Sequence, residues 1–138
     1  MFKRQEVVRF QHCDPAGIVF YPRYVEMINA TVEDWFAHCG LDFARIHVEE
    51  KVAIPAVSLS VNFRSASRLG ETLTFSLKVV RIGTTSVTLS VDASHQKQLR
   101  FESELTLVFI DQEDYRPRPW PAKFRSALET GVAGDQRP

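Results

Sequence analysis

One acidic residue carries most of the chemistry that this chain suggests. Asp14 lies in the run Cys13-Asp14-Pro15-Ala16-Gly17, just ahead of Tyr21-Pro22 and a long amphipathic stretch. A carboxylate can act as a nucleophile or as a general base. The start of a helix offers backbone N–H groups with no intrahelical partner, and about half a positive charge, to a developing oxyanion. Together they make a metal-free site for attack on an activated carbonyl. Local spacing alone favours a plainer reading of Asp14 as a turn residue or cap, because Asp-Pro turns are common. His12 and Cys13 do not extend the carboxylate into a metal site, since adjacent strand residues point to opposite faces. Cys13 reads as a small packing residue.

The elements that must hold Asp14 are legible in the pattern. Residues 4–12 read as a first strand around Val7, Val8 and Phe10. Asp14-Pro15-Ala16-Gly17 breaks it. Pro22 suits a first helical turn, and Tyr24, Ile28 and Trp35 recur near one helical stripe, widened by Val25, Val32, Phe36 and Cys39, as far as Gly40, a natural stop. Residues 41–52 are ambiguous between a short helix and a loop. Period-two alternation then runs through Val57, Leu59, Val61 and Phe63, through Leu73, Phe75, Leu77 and Val79, and through Val87, Leu89 and Val91. A last strand is expected over residues 100–110. Its run Leu105 to Ile110 is apolar in both phases, which predicts cover on both faces. A short helix is expected over 122–129. One helix followed by a run of strands predicts an α+β fold with an antiparallel sheet.

With 138 residues, the chain is expected to form one domain over 1–130, with a loose polar tail over 131–138. Its formal net charge of zero gives no electrostatic footprint for nucleic acid. No apolar run of about 18 residues is present to span a membrane. The two cysteines are no disulfide framework, and with no hydrophobic leader at the start the expected setting is cytoplasmic.

The stretch Cys13 to Tyr24, with Trp35-Phe36, Cys39-Gly40-Leu41 and Phe109-Ile110-Asp111, resembles the hotdog-fold acyl-CoA thioesterases, specifically the 4-hydroxybenzoyl-CoA thioesterase family and its tol-pal-associated relatives. The resemblance covers about residues 5–125. It implies a curved antiparallel sheet of about five strands wrapped around the long helix. It implies a homodimer at least, with sheets joined edge to edge, and a homotetramer beyond it. Active sites would lie at the dimer interface. By matching position, Asp14 is the catalytic carboxylate and Tyr21 supplies the backbone N–H that polarises the thioester carbonyl.

The implied reaction is hydrolysis of a short-chain or aromatic acyl-CoA to free acid and coenzyme A. No cofactor is expected, coenzyme A being part of the substrate. Asp14 either attacks directly, through a mixed anhydride, or activates water. The acyl group is expected to meet Gly17, Ile18, Phe20, Tyr24, Val57 and Leu59. Arginines should meet the coenzyme A phosphates; Arg81 is the first choice, with Arg118, Arg64 and Arg68 as alternatives. Glu33 on the helix is read as a solvated residue. The competing functions are a catalytically silent acyl-CoA-binding or scaffolding protein and a hotdog hydratase.

Overall fold

The computed structural model describes residues 1–135. Tyr21–His38 form the long helix, α1. Pro22 falls in its first turn, where a missing N–H costs nothing. Gly40 ends it at φ 83°. The Gly40 N–H donates to the Ala37 carbonyl at 3.0 Å and the Leu41 N–H to that of Phe36 at 2.8 Å, the paired bonds of a Schellman stop. The buried stripe is Tyr24, Met27, Ile28, Thr31, Val32, Trp35 and Phe36; it keeps the predicted Tyr24, Ile28, Val32, Trp35 and Phe36, adds Met27 and Thr31, and leaves the expected Val25 exposed.

Five strands make the main sheet: β1 (Phe2–Val7), β3 (Ala56–Phe63), β4 (Thr72–Ile82), β5 (Ser86–His95) and β6 (Gln98–Val108), in the order β1-β4-β5-β6-β3. Each pairing is antiparallel. Phe75, Leu77, Leu89, Val91 and Phe101 line its inner face and are buried with α1's Ile28 and Phe36 in one core. Two short strands, β2 (Val52–Ala53) and β7 (Ile110–Asp111), pair beside it. A second helix, α2, spans Ala122–Asp135.

Four expectations need correction. The first strand ends at Val7, and Phe10–His12 form a single 3₁₀ turn, because the Arg9 N–H turns inward to donate to His12 Nδ1 at 2.8 Å. The last strand stops at Val108, so the run Leu105 to Ile110 is not covered on both faces. Phe109 leaves the sheet to pack against Trp120 and Phe124, and Ile110 joins the small sheet. The ambiguous segment holds a π-helical turn, Arg45–Glu49, followed by β2. Finally, α2 continues to Asp135, so the expected tail starts as helix; its last three positions lie outside the described residues.

At the sheet edge, β3 is apolar yet uncovered. Val57 is 63% exposed, Leu59 42% and Phe63 51%. Isolated apolar side chains are ordinary on a surface, but a row of them along an edge strand is a surface that natural sheets usually cover or blunt.

Candidate active site

Asp14 sits on a short hairpin. Cys13 pairs with Val19, the Asp14 N–H donates to the Ile18 carbonyl at 2.9 Å, and the Gly17 N–H returns to the Asp14 carbonyl at 3.0 Å. Gly17 has φ 78°, a conformation that residues with a Cβ rarely adopt. Asp14 Oδ1 accepts the Ala16 N–H at 2.9 Å. Oδ2 has no hydrogen bond among the described residues. One carboxylate oxygen thus builds the turn, as the plainer reading expects, and the other stays unengaged among the described residues. Asp14 lines an open cleft of about 470 Å³ with Phe10, Cys13, Pro15, Gly17 and Leu69. These walls are largely apolar, which strengthens any charge interaction at the carboxylate.

The hairpin runs straight into α1. The Phe20 N–H donates to the His12 carbonyl at 2.9 Å, and the Arg23 N–H to the Phe20 carbonyl at 2.8 Å. Pro22 has no N–H. The Tyr21 N–H has no partner among the described residues, so this cap leaves it as an available donor at the helix start. The Tyr21 side chain is exposed, edge-on to Phe20 and Phe63.

The other expected contacts divide. Gly17 lines the cleft. Ile18 is half-buried and pairs with Arg68, and Phe20 is exposed beside Tyr21. Tyr24 is no pocket wall: it is 4% exposed, packed on Phe63 and Phe101, with its hydroxyl on Ser67 Oγ at 2.8 Å. Val57 is exposed on the free edge. Leu59 lines a separate cavity of about 210 Å³ between α1 and the β3–β6 edge, with Ile28, Val32, Phe43 and Leu107. Asn29 is the polar residue in that lining, and its Nδ2 donates to Glu33 Oε2 at 2.7 Å.

Arg81 and Arg118 do not reach Asp14 within one protomer. Arg81 donates to Thr88 Oγ1 at 3.2 Å, at the far end of β4. The Asp14 hairpin lies near Thr72, and the strand between Thr72 and Arg81 is about 30 Å of extended chain. Arg118 is at that same far end, where its N–H meets the Phe109 carbonyl and its guanidinium pairs with Asp114 at 2.6 Å. Arg64 pairs with Glu102. Arg68, an alternative in the sequence, is exposed and joined to the hairpin through Ile18.

His12 is buried, with Nδ1 taken by the Arg9 N–H and Nε2 at 3.5 Å from Glu6. Burial pushes the Cys39 thiol up to about 11, so it stays protonated at neutral pH. Phe10 and Leu69, walls of the Asp14 cleft, were missed in the sequence, where neither carries a chemical signal. Glu71 and Arg100 were also missed, although an arginine amid the apolar alternation of a strand was a readable anomaly.

A family model, the thioesterase-like superfamily, matches residues 8–128. The chain belongs to this superfamily. That agrees with the expected family, hotdog architecture and thioester-hydrolase class. The 4-hydroxybenzoyl-CoA thioesterase of Pseudomonas sp. strain CBS-3 is 36% identical over 72 residues, a match spanning 51% of this chain and 51% of that protein. The 1,4-dihydroxy-2-naphthoyl-CoA hydrolase of Synechococcus elongatus is 19% identical over 93% of this chain and 95% of its own. The crystal structure of a 1,4-dihydroxy-2-naphthoyl-CoA thioesterase from Synechocystis superposes with a TM-score of 0.85 at 21% identity, covering 92% of this chain and 94% of that one. Among the described residues no helix is long and apolar enough to cross a membrane.

Proposed function

We propose that this thioesterase-superfamily protein hydrolyses an aromatic or short-chain acyl-CoA, with Asp14 as nucleophile and the Tyr21 N–H as oxyanion donor. The observation that carries the reading is that, among the described residues, one Asp14 oxygen in an apolar cleft and the Tyr21 N–H at the head of the helix that follows are both without a hydrogen-bond partner. An Asp14 oxygen attacks the thioester carbon, and the tetrahedral oxyanion is held by the Tyr21 N–H. The C–S bond breaks, and coenzyme A leaves as thiolate and takes a proton from solvent. Water then attacks the mixed anhydride, which releases the free acid, restores the Asp14 carboxylate and returns a proton to solvent. One preorganised donor to an oxyanion is worth about 2.7–4 kcal/mol.

An aromatic acyl group is favoured by the relatives named for hydroxybenzoyl and dihydroxynaphthoyl thioesters and by the aromatic side chains at the helix start. Arg68 is the arginine best placed to meet a coenzyme A phosphate beside this cleft. A second copy joined along β3 would cover Val57, Leu59 and Phe63, and would complete a site that is open in one protomer. Sedimentation should therefore give a dimer or a larger even assembly, broken by Leu59→Glu.

Thiol release from benzoyl-, 4-hydroxybenzoyl-, phenylacetyl- and aliphatic CoA esters tests the activity, with Asp14→Ala as the control. Turnover of the aromatic esters that is lost in Asp14→Ala supports the reading. Equal turnover by the variant would reject Asp14 as the catalytic carboxylate, and binding without turnover would leave an acyl-CoA-binding protein.

A further inference from the structure

Asp14 and the head of α1 rest on the same loop, residues 64–71. Along its length, Val19 donates its N–H to the Ser67 carbonyl at 2.9 Å, Leu69 donates to the Gly17 carbonyl at 3.1 Å, and Ile18 pairs with Arg68. Those bonds reach both sides of the Asp14 hairpin. From the helix, Tyr24 donates its hydroxyl to Ser67 Oγ at 2.8 Å, and Ser67 is fully buried. The start of the loop is pinned as well, with the Arg64 and Ser65 N–H groups both donating to the Arg100 carbonyl.

The loop in turn hangs on an ion pair between a buried Arg100 and a half-buried Glu71. Arg100 is 4% exposed. Its Nη1 donates to Glu71 Oε1 at 2.7 Å and to the Ala66 carbonyl at 2.7 Å, and its Nη2 to Glu71 Oε2 at 3.1 Å. Glu71 Oε1 also accepts the Arg68 N–H at 2.6 Å, and His95 Nε2 lies 3.6 Å from Oε2. A charged side chain reaches this place because of a bulge. Ala93 pairs with Phe101 but Ser94 pairs with Leu99, so Arg100 is the extra residue of β6. Bulges re-aim a side chain in this way. Arg100 Nε is buried with no hydrogen-bond partner among the described residues, which is a cost to stability.

We propose that Glu71 and Arg100 are positioning residues for the site: their ion pair sets the 64–71 loop, which holds the Asp14 carboxylate in register with the Tyr21 N–H. This rests on the proposed thioesterase reading. Neither residue touches the acyl group, and both act through Asp14. The effect falls on kcat more than on KM, because misplaced catalytic groups lose transition-state contacts first.

The test is a double-mutant cycle on benzoyl-CoA with the full chain. Glu71→Gln should lower kcat about 10-fold or more with KM within about 3-fold, and Asp14→Asn should lower kcat further. The double variant should be no slower than Asp14→Asn alone, since a residue acting through Asp14 has nothing left to support. Full activity of Glu71→Gln, or losses that multiply in the double variant, overturns the inference. Amide exchange supplies a readout that does not depend on turnover. The Val19 and Leu69 N–H groups should exchange at least about 10-fold faster in Glu71→Gln, while Val91 in mid-sheet stays protected. Unchanged protection at Val19 and Leu69 overturns the inference whatever the activity. Should Asp14→Asn hydrolyse normally, the catalytic role of Asp14 fails while the thioesterase activity stands, and faster exchange then leaves only a structural loop clamp, which also overturns the positioning role. If Glu71→Gln does not fold, Tyr24→Phe loosens the other end of the same loop and should show the same kcat loss and the same exchange at Val19; wild-type behaviour there counts against the proposal.

Discussion

The Phe20 N–H donates to the His12 carbonyl at 2.9 Å, and this bond decides which backbone donor is left over at the head of α1. It stitches the cap residue of α1 to the end of the 3₁₀ turn, two residues before Asp14. With Phe20 engaged, Pro22 without a hydrogen and Arg23 bonded back to Phe20, the donor left over is Tyr21. A sequence of ordinary types, Phe-Tyr-Pro-Arg, thus leaves one backbone N–H without a partner among the described residues, at the helix start that follows the Asp14 hairpin.

Asp14 lets its structural and chemical roles be separated. Asp14→Asn keeps an oxygen for the Ala16 N–H, so the turn survives, but an amide is neither nucleophile nor base. Thioester hydrolysis should fall about 100-fold or more with thermal stability unchanged. Asp14→Ala should lose the same activity and a further ~1 kcal/mol of stability with the turn bond. Paired kinetics and melting curves on the two variants check both halves.

Tyr21 should matter through its backbone and not its phenol. The hydroxyl has no hydrogen bond among the described residues and the ring is exposed, so Tyr21→Phe should stay within about 2-fold in kcat/KM and ~0.5 kcal/mol in stability. Tyr21→Pro removes only the N–H and side-chain ring. Proline suits a first helical position, and Phe20 at φ −69° and ψ 123° already has the backbone that a residue before proline requires. This variant should fold and lose about 100-fold in kcat relative to Tyr21→Ala. Activity of Tyr21→Pro equal to that of Tyr21→Ala would remove the N–H from the mechanism.

The sequence made the scaffold legible where periodicity was strong. The α1 stripe of Ile28, Val32 and Trp35 and the inner alternations of β4 and β5 turned up where expected, because each buries one face against the same core. Legibility failed where a single residue breaks register. The bulge that turns Arg100 inward depends on pairing between β5 and β6, which no local spacing records. Gln96 and Lys97 both adopt positive φ in a two-residue hairpin without the glycine or asparagine that usually announces one. Val57 and Leu59 read from their alternation and type as walls for the acyl group, and their exposure follows only from β3 being at the sheet edge. Arg81 looked like a phosphate ligand by residue type, but strand direction, invisible to composition, carries it to the opposite end of the molecule.

Glu71 makes the fold sensitive to acid in a defined window. The Arg100 guanidinium hydrogen-bonded to it, helped by the Arg68 N–H, holds its carboxyl down at about 2 from an ordinary 4.5. A carboxyl depressed in the folded state contributes stability that is fully present above about 4.5 and is lost as pH falls toward 2. Wild-type stability should therefore drop more steeply than that of Glu71→Gln across that interval, with the two curves converging at its acid end. The difference near pH 7 should be about 2 kcal/mol. Urea titrations at stepped pH give the comparison, and parallel curves would mean that the Glu71–Arg100 pair contributes nothing to folding.

Gly17 and Gly40 offer a matched pair. They have φ of 78° and 83°, and a Cβ added to either meets nothing within 4 Å. Alanine at each site therefore costs backbone strain alone, about 1–2 kcal/mol by the left-handed penalty. The consequences for activity should differ. Gly40 closes the far end of α1, so Gly40→Ala should melt earlier and keep its kcat. Gly17 closes the hairpin whose Asp14 carboxylate is proposed to attack the substrate, and relief of strain at that position must shift the turn. Gly17→Ala should lose the same stability and at least about 10-fold in kcat, since a displacement near 1 Å at a reacting group is enough to cost that much. Equal kcat in the two variants, at equal loss of stability, would show that the turn conformation does not place the carboxylate.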